Sequence, residues 1–139
     1  MATNQFTIPG LTDKQGAQVA ELLQRSLSIY NDLHLTLKHV HWNVVGPNFI
    51  GVHEMIDPQV ELVRGYADEV AERIATLGFS PQGTPGSIIR DRDWDDYSVG
   101  RDTVQAHLAA LDLVHLENSG GRPAHEGTET EKTAASKAR

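Results

Sequence analysis

An all-α chain folded as an antiparallel helical bundle is what this sequence predicts. Apolar residues recur every three or four positions over two windows of roughly thirty residues and one of about sixteen. The two long windows are joined by a short turn and followed by a longer, glycine- and proline-rich crossover, the connection pattern of antiparallel neighbours.

The first helix is expected from Thr12 to about Val45. Thr12 is a plausible N-cap, and Gln15 three positions on completes a capping-box pattern. Val19, Leu22, Leu23, Leu27, Tyr30, Leu33, Leu37, Val40 and Val44 form mostly one stripe at the helical period. Gly46-Pro47-Asn48 ends it, because proline cannot extend the hydrogen-bond ladder.

A second helix is expected from Phe49 to about Leu77, with Val52, Ile56, Val63, Ala67, Val70 and Ile74 on one side. The periodicity continues across Pro58, and Gly78 supplies a left-handed C-terminal cap. From Gly78 to Gly86 the chain reads as a loop. Ser87 to Tyr97 reads as a crossover with one short turn of helix. A third helix is expected from about Val99 to Val114, with Val104, Leu108 and Leu111 inward. The domain reading is an N-terminal arm at 1–11, a helical domain at 12–114 and a flexible tail at 115–139, whose composition offers little to bury. Three helices of unequal length leave part of the long pair's apolar surface without a cover.

Composition bounds the function. The 139 residues (15.3 kDa) suit one compact domain. Twelve basic against nineteen acidic residues give a net charge of −7, so no overall field draws the chain to nucleic acid or anionic lipid. There is no cysteine, which excludes disulfides, thiolate metal sites and cysteine nucleophiles. A metal must therefore sit on nitrogen and oxygen, and the chain has seven histidines. Neither a signal peptide nor a membrane span is expected, which gives a cytoplasmic default.

His53, Asp57, Asp68 and Glu72 carry the chemistry. With His53 at zero on a helical wheel, the other three fall at about 40°, 60° and 100°. Each pair is spaced i, i+4, which places two ligating groups on adjacent turns of one face. The pairs are separated by about 22 Å along the axis at 1.5 Å per residue, whereas metal–ligand bonds are about 2.0–2.2 Å. One chain cannot bring both pairs to one ion. A second copy related by a two-fold axis near Leu62 and Val63 sets His53/Asp57 of one chain opposite Asp68/Glu72 of the other, giving two equivalent sites. His41, four residues after Leu37 on the inward stripe, is the candidate third ligand. His39 lies about 200° away on the wheel. Imidazole and carboxylate with open positions suit iron better than magnesium or a closed structural zinc.

A solvated acidic face has the same i, i+4 spacing, and spacing alone does not separate the two readings. His34, His107, His115 and His125 have no partner at ligand spacing and read as ordinary surface or core histidines. Trp42 and Trp94 read as core or interface aromatics, and Asp91, Asp93, Asp95 and Asp96 as a solvated loop. No phosphate-cradling loop, nucleophile elbow or acyl-transfer triad is present.

The motif from His41-Trp42-Asn43 through Gly46-Pro47-Asn48-Phe49, then Val52-His53-Glu54-Met55 with Asp57, then Asp68-Glu69-Val70-Ala71-Glu72-Arg73, resembles the signature of the Dps family. These are mini-ferritins, DNA-binding proteins of starved cells, and the resemblance is of mycobacterial and actinobacterial type, covering Phe6 to about Val114. It implies a ferritin-like bundle, a shell of twelve subunits and a ferroxidase centre between two-fold-related chains. There Fe(II) is oxidised, preferentially by hydrogen peroxide, and ferric iron is stored. The resemblance assigns His41, His53 and Asp57 from one chain with Asp68 and Glu72 from its mate as ligands. It places Trp42 beside the centre as a quencher of stray radicals. It also implies nucleoid association and DNA condensation through a basic C-terminal tail.

Two departures follow. After Ala110-Leu111-Asp112-Leu113-Val114 the family completes its third helix and runs a fourth; here His115 to Gly121 resembles the exit from that fourth helix, so the chain resembles a member with an internal deletion. At about 25 cal/mol per Å² of apolar area, losing a bundle helix removes many kcal/mol from a net stability of about 5–15 kcal/mol. In the tail, Arg122, Lys132, Lys137 and Arg139 are matched by Glu117, Glu126, Glu129 and Glu131, so its net charge is zero and phosphate neutralisation per chain is small. The alternative function is a non-enzymatic, DNA-compacting structural protein with a vestigial iron site.

Overall fold

The structure, a computed structural model, describes residues 10–118, and the surroundings of side chains as far as Asp112. The expected arm up to residue 9 and the tail beyond residue 118 lie outside the described residues. Six elements follow in order: α1 (Asp13–Asn43), β1 (Val44–Val45), α2 (Phe49–Thr76), α3 (Pro85–Asp91), β2 (Asp102–Thr103) and α4 (Val104–Asn118).

The first helix starts as its capping box dictates. The Thr12 hydroxyl accepts the Gln15 amide, and Gln15 Oε1 accepts the Thr12 amide at 3.0 Å, satisfying two otherwise unpaired donors. It stops at Asn43 rather than Val45. Val44 and Val45 are β-branched, leave the helix extended, and pair in parallel with Asp102 and Thr103. Gly46, at φ 108°, turns the chain, and α2 begins at Phe49. Pro58 lies inside α2 without ending it, and Gly78, at φ 82°, closes it as expected.

The two long helices are antiparallel, because late α1 packs on early α2 and the reverse. Leu37 and Val40 meet Ile56, Val60 and Val63 in one cluster; Leu27 meets Ala67 and Ile74 in the other. A fully buried aliphatic side chain contributes about 1.5–3 kcal/mol, so these two clusters hold the hairpin together.

The crossover contains more structure than one turn. Thr84 caps α3 by accepting the Ser87 amide, with Pro85 in the first turn where its missing donor costs nothing. Trp94, 8% exposed, donates Nε1–H to Asp32 on α1 at 2.9 Å and lies within cation–π distance of the guanidiniums of Arg25 and Arg92. The acidic loop is solvated as expected, with Asp93, Asp95 and Asp96 exposed, and it also carries surface ion pairs: Asp93 with Arg25, Asp96 with Arg92, Asp91 with Arg90.

Helix α4 starts at Val104, five residues later than expected, because Asp102 and Thr103 are taken up in the strand pair. It continues to Asn118, past Val114. Its most deeply buried described residue is His107, whereas Leu108, expected inward, is exposed. With Tyr97, Leu111 of α4 packs on the first cluster, at the end where α1 turns into α2. At the far end of the hairpin the expected stripe stays open: Val19 and Leu22 are exposed, Leu22 by 69%.

Candidate metal centre

The last turn of α1 and the first turns of α2 face each other across the Gly46 turn. This brings His41, His53 and Asp57 together. The two imidazoles stack, with ring centroids 3.6 Å apart and planes 24° from parallel. Nδ1 of His41 lies 3.0 Å from the His53 carbonyl, and Nδ1 of His53 lies 2.9 Å from the His41 carbonyl. A carbonyl only accepts, so each Nδ1 carries the hydrogen and each Nε2 presents its lone pair. A backbone carbonyl fixing Nδ1–H is the arrangement that readies imidazole for a metal.

Asp57 completes the local group. Its Oδ1 lies 3.3 Å from His41 Nδ1 and accepts from Lys38 Nζ at 2.8 Å. The Lys38 hydrogen bond, helped by the charge of Lys38 itself and opposed by desolvation, holds the Asp57 carboxyl below the usual 3.8. Lys38 also lies 5.7 Å from the Trp42 ring centroid, a cation–π distance. Trp42 is 70% exposed, so it lies on the surface beside the group. Asp57, Trp42 and Lys38 share one open groove with Glu61 and Arg64.

Asp68 and Glu72 lie on the same helix, exposed, about 22 Å along the axis from the midpoint of His53 and Asp57. Among the described residues no three histidine, aspartate or glutamate side chains of one chain are arranged to hold an ion. His39 turns away from the group, its Nε2 2.8 Å from the Val99 carbonyl. The residue missed from sequence is Lys38; its position, one turn before both His41 and Trp42 on the same helix, was the available signal.

A ferritin-like domain matches residues 20–119. A protein of Mycolicibacterium smegmatis named "DNA protection during starvation protein" is 62% identical over 176 aligned positions, covering 96% of each chain. The chain belongs to the Dps family. Its fold superposes on a tetragonal crystal form of Mycobacterium smegmatis Dps with TM-score 0.81 and 80% identity, over 84% of this chain and 71% of that one. It superposes on the Dps protein DpsA14 of Streptomyces coelicolor with TM-score 0.82 and 56% identity, over 86% and 71%. The alignment to the M. smegmatis protein is longer than this 139-residue Dps chain, so it crosses a stretch of the relative with no counterpart here. The ferritin-like helical class expected from sequence is therefore the observed one. No helix among the described residues is long and apolar enough to cross a membrane.

Proposed function

We propose that this chain is a mini-ferritin that binds and oxidises Fe(II) at a centre shared by two copies, stores the ferric product, and protects DNA from oxidative damage. The observation that carries the reading is the reciprocal clamp on His41 and His53. Both Nδ1 atoms are committed to backbone carbonyls, both Nε2 lone pairs are left to bind, and a carboxylate stands beside them.

Half a ligand set on one chain calls for the other half from a second chain. Asp68 and Glu72, one turn apart, provide two carboxylates on a separate stretch of α2. A two-fold axis midway along α2 brings them to His41, His53 and Asp57 of the mate, twice per dimer. Iron is the substrate. Two Fe(II) ions give two electrons to hydrogen peroxide, which with two protons becomes two waters, so no hydroxyl radical is released. Trp42, exposed at the edge of the group, supplies an electron to any radical that escapes. The closed shell of the family is where ferric mineral accumulates, in the cytoplasm near the nucleoid. The M. smegmatis relative is named for DNA protection, and its function is extended here to this chain. With a tail of zero net charge, DNA condensation depends on many tails acting together.

Anaerobic Fe(II) loading followed by peroxide tests the reading, with solution mass measured in parallel. Oxidation in stoichiometric proportion by a dimer or larger assembly, lost in Asp68→Ala and Glu72→Ala, is the expected result. A monomer that oxidises iron at the same rate overturns it. A salt-dependent gel shift without iron oxidation favours the DNA-compacting alternative.

A further inference from the structure

Tyr97 in the crossover and His107 on α4 form a buried pair that the iron centre does not use. The phenol oxygen lies 2.7 Å from His107 Nδ1, and the ring planes lie within 9° of parallel with centroids 6.1 Å apart. His107 is fully buried, and its Nε2 has no hydrogen-bond partner among the described residues. The 2.7 Å length suits a phenol that donates to an unprotonated Nδ1. If Nδ1 carried the hydrogen, the phenol would donate only to the His107 carbonyl, at 3.5 Å, the limit of a hydrogen bond. With the phenol donating to Nδ1, the 2.7 Å contact is a normal O–H···N bond and only Nε2–H is orphaned. Burial pushes the Tyr97 phenol up to about 12, so it holds its proton at neutral pH. His39 meets the Tyr97 ring edge-on at 5.8 Å, linking the pair to the helix that carries His41. The other tyrosines, Tyr30 and Tyr66, pack on each other with no base on either hydroxyl among the described residues.

We propose that Tyr97 is a redox-active tyrosine, which gives one electron to an oxyradical while its phenolic proton crosses to His107 Nδ1. A phenol that loses an electron becomes a strong acid, so inside a protein the two transfers must be coupled. The balance is simple. Hydroxyl radical gains the electron and becomes hydroxide. The O–H bond of Tyr97 breaks, an N–H bond forms on His107, and a neutral phenoxyl faces an imidazolium. One Fe(II), passing to Fe(III), returns the electron, and the proton goes back to oxygen. The pair differs from Trp42, which is exposed and has no base on its indole nitrogen among the described residues.

The test uses the iron-free full chain and flash-generated tris(bipyridine)ruthenium(III) as the one-electron oxidant, so it does not depend on the iron reading. Transient absorption and freeze-quench EPR report the radical. The expected result is a phenoxyl signal that Tyr97→Phe abolishes and Tyr30→Phe and Tyr66→Phe retain. His107→Gln is expected to slow its formation by roughly a hundredfold, the scale of a lost proton acceptor. If His107→Gln fails to fold, the wild-type rate in D2O replaces it, and slower formation is expected. A phenoxyl that survives Tyr97→Phe, a radical confined to tryptophan, or a rate indifferent both to His107 and to D2O overturns the proposal.

Discussion

His41 and His53 hold each other by their own backbones: each ring gives its Nδ1 hydrogen to the other residue's carbonyl, with the rings stacked at 3.6 Å. The clamp closes the end of α1 on the start of α2 and fixes two ring orientations at once. Two such rings alone cannot satisfy an ion that takes four or more ligands, and Asp57 adds one carboxylate.

The shared centre predicts a specific complementation. His53→Ala removes one half of each site and Asp68→Ala the other half. When the two inactive variants exchange subunits at random, half of the dimers are mixed. Each mixed dimer holds one intact and one doubly damaged site. Peroxide-dependent iron oxidation is therefore expected to recover to about one quarter of wild type. No recovery, with exchange verified by mass, refutes shared sites.

Lys38 occupies Asp57 when no cation does. Lys38→Met frees the carboxylate and lets its pKa return upward. The pair is solvent-exposed and therefore weak, so Co(II), used as a probe, is expected to bind more tightly by no more than a few-fold. The sign with pH is fixed by the lowered Asp57 pKa. The Lys38–Asp57 pair is complete above the ordinary value of 3.8 and is lost as pH falls through the lower folded value. The affinity gain is therefore present at neutral pH. Weaker Co(II) binding in Lys38→Met contradicts this role.

The long helices were legible because each repeats its period over many turns and is bounded by a capping box or a glycine. The Val44–Asp102 and Val45–Thr103 pairing was not: two residues carry no period, and the partners lie far apart in the chain. On α4 the apolar pattern put Leu108 inward, yet His107 is the buried residue. Tyr97 satisfies its Nδ1 there, and no described element covers Leu108. At the centre, the i, i+4 pair His53/Asp57 was visible on one helix, as was the impossibility of reaching Asp68 and Glu72 within a chain. The Lys38 contact crosses between helices, and only packing sets it.

Trp94 holds the crossover against α1, and its loss predicts a defined destabilisation. Trp94→Phe keeps most of the apolar area but leaves Asp32, largely buried, without the indole donor at 2.9 Å. Arg92 Nη2, 3.7 Å away, keeps its ion pair with Asp32, so the loss is that of one hydrogen bond to a charged group, about 1.5–3 kcal/mol. Urea unfolding followed by circular dichroism is expected to show a loss in that range. A change below about 0.5 kcal/mol, the scale of ordinary surface substitutions, places Trp94 outside the core.

Tyr97 predicts the alkaline limit of the fold. Its phenol ionises near 12 in the folded chain against an ordinary 10.0, so the folded state binds that proton more tightly than the unfolded state. The contribution to stability is complete below pH 10 and is lost as pH rises through about 12. Ultraviolet difference titration is expected to show a phenolate step near 12 that Tyr97→Phe removes. In the same variant, stability measured between pH 10 and 12 is expected to fall less steeply. Equal slopes in the two proteins, or a Tyr97 step at the ordinary position, show that the crossover does not shield this phenol from water.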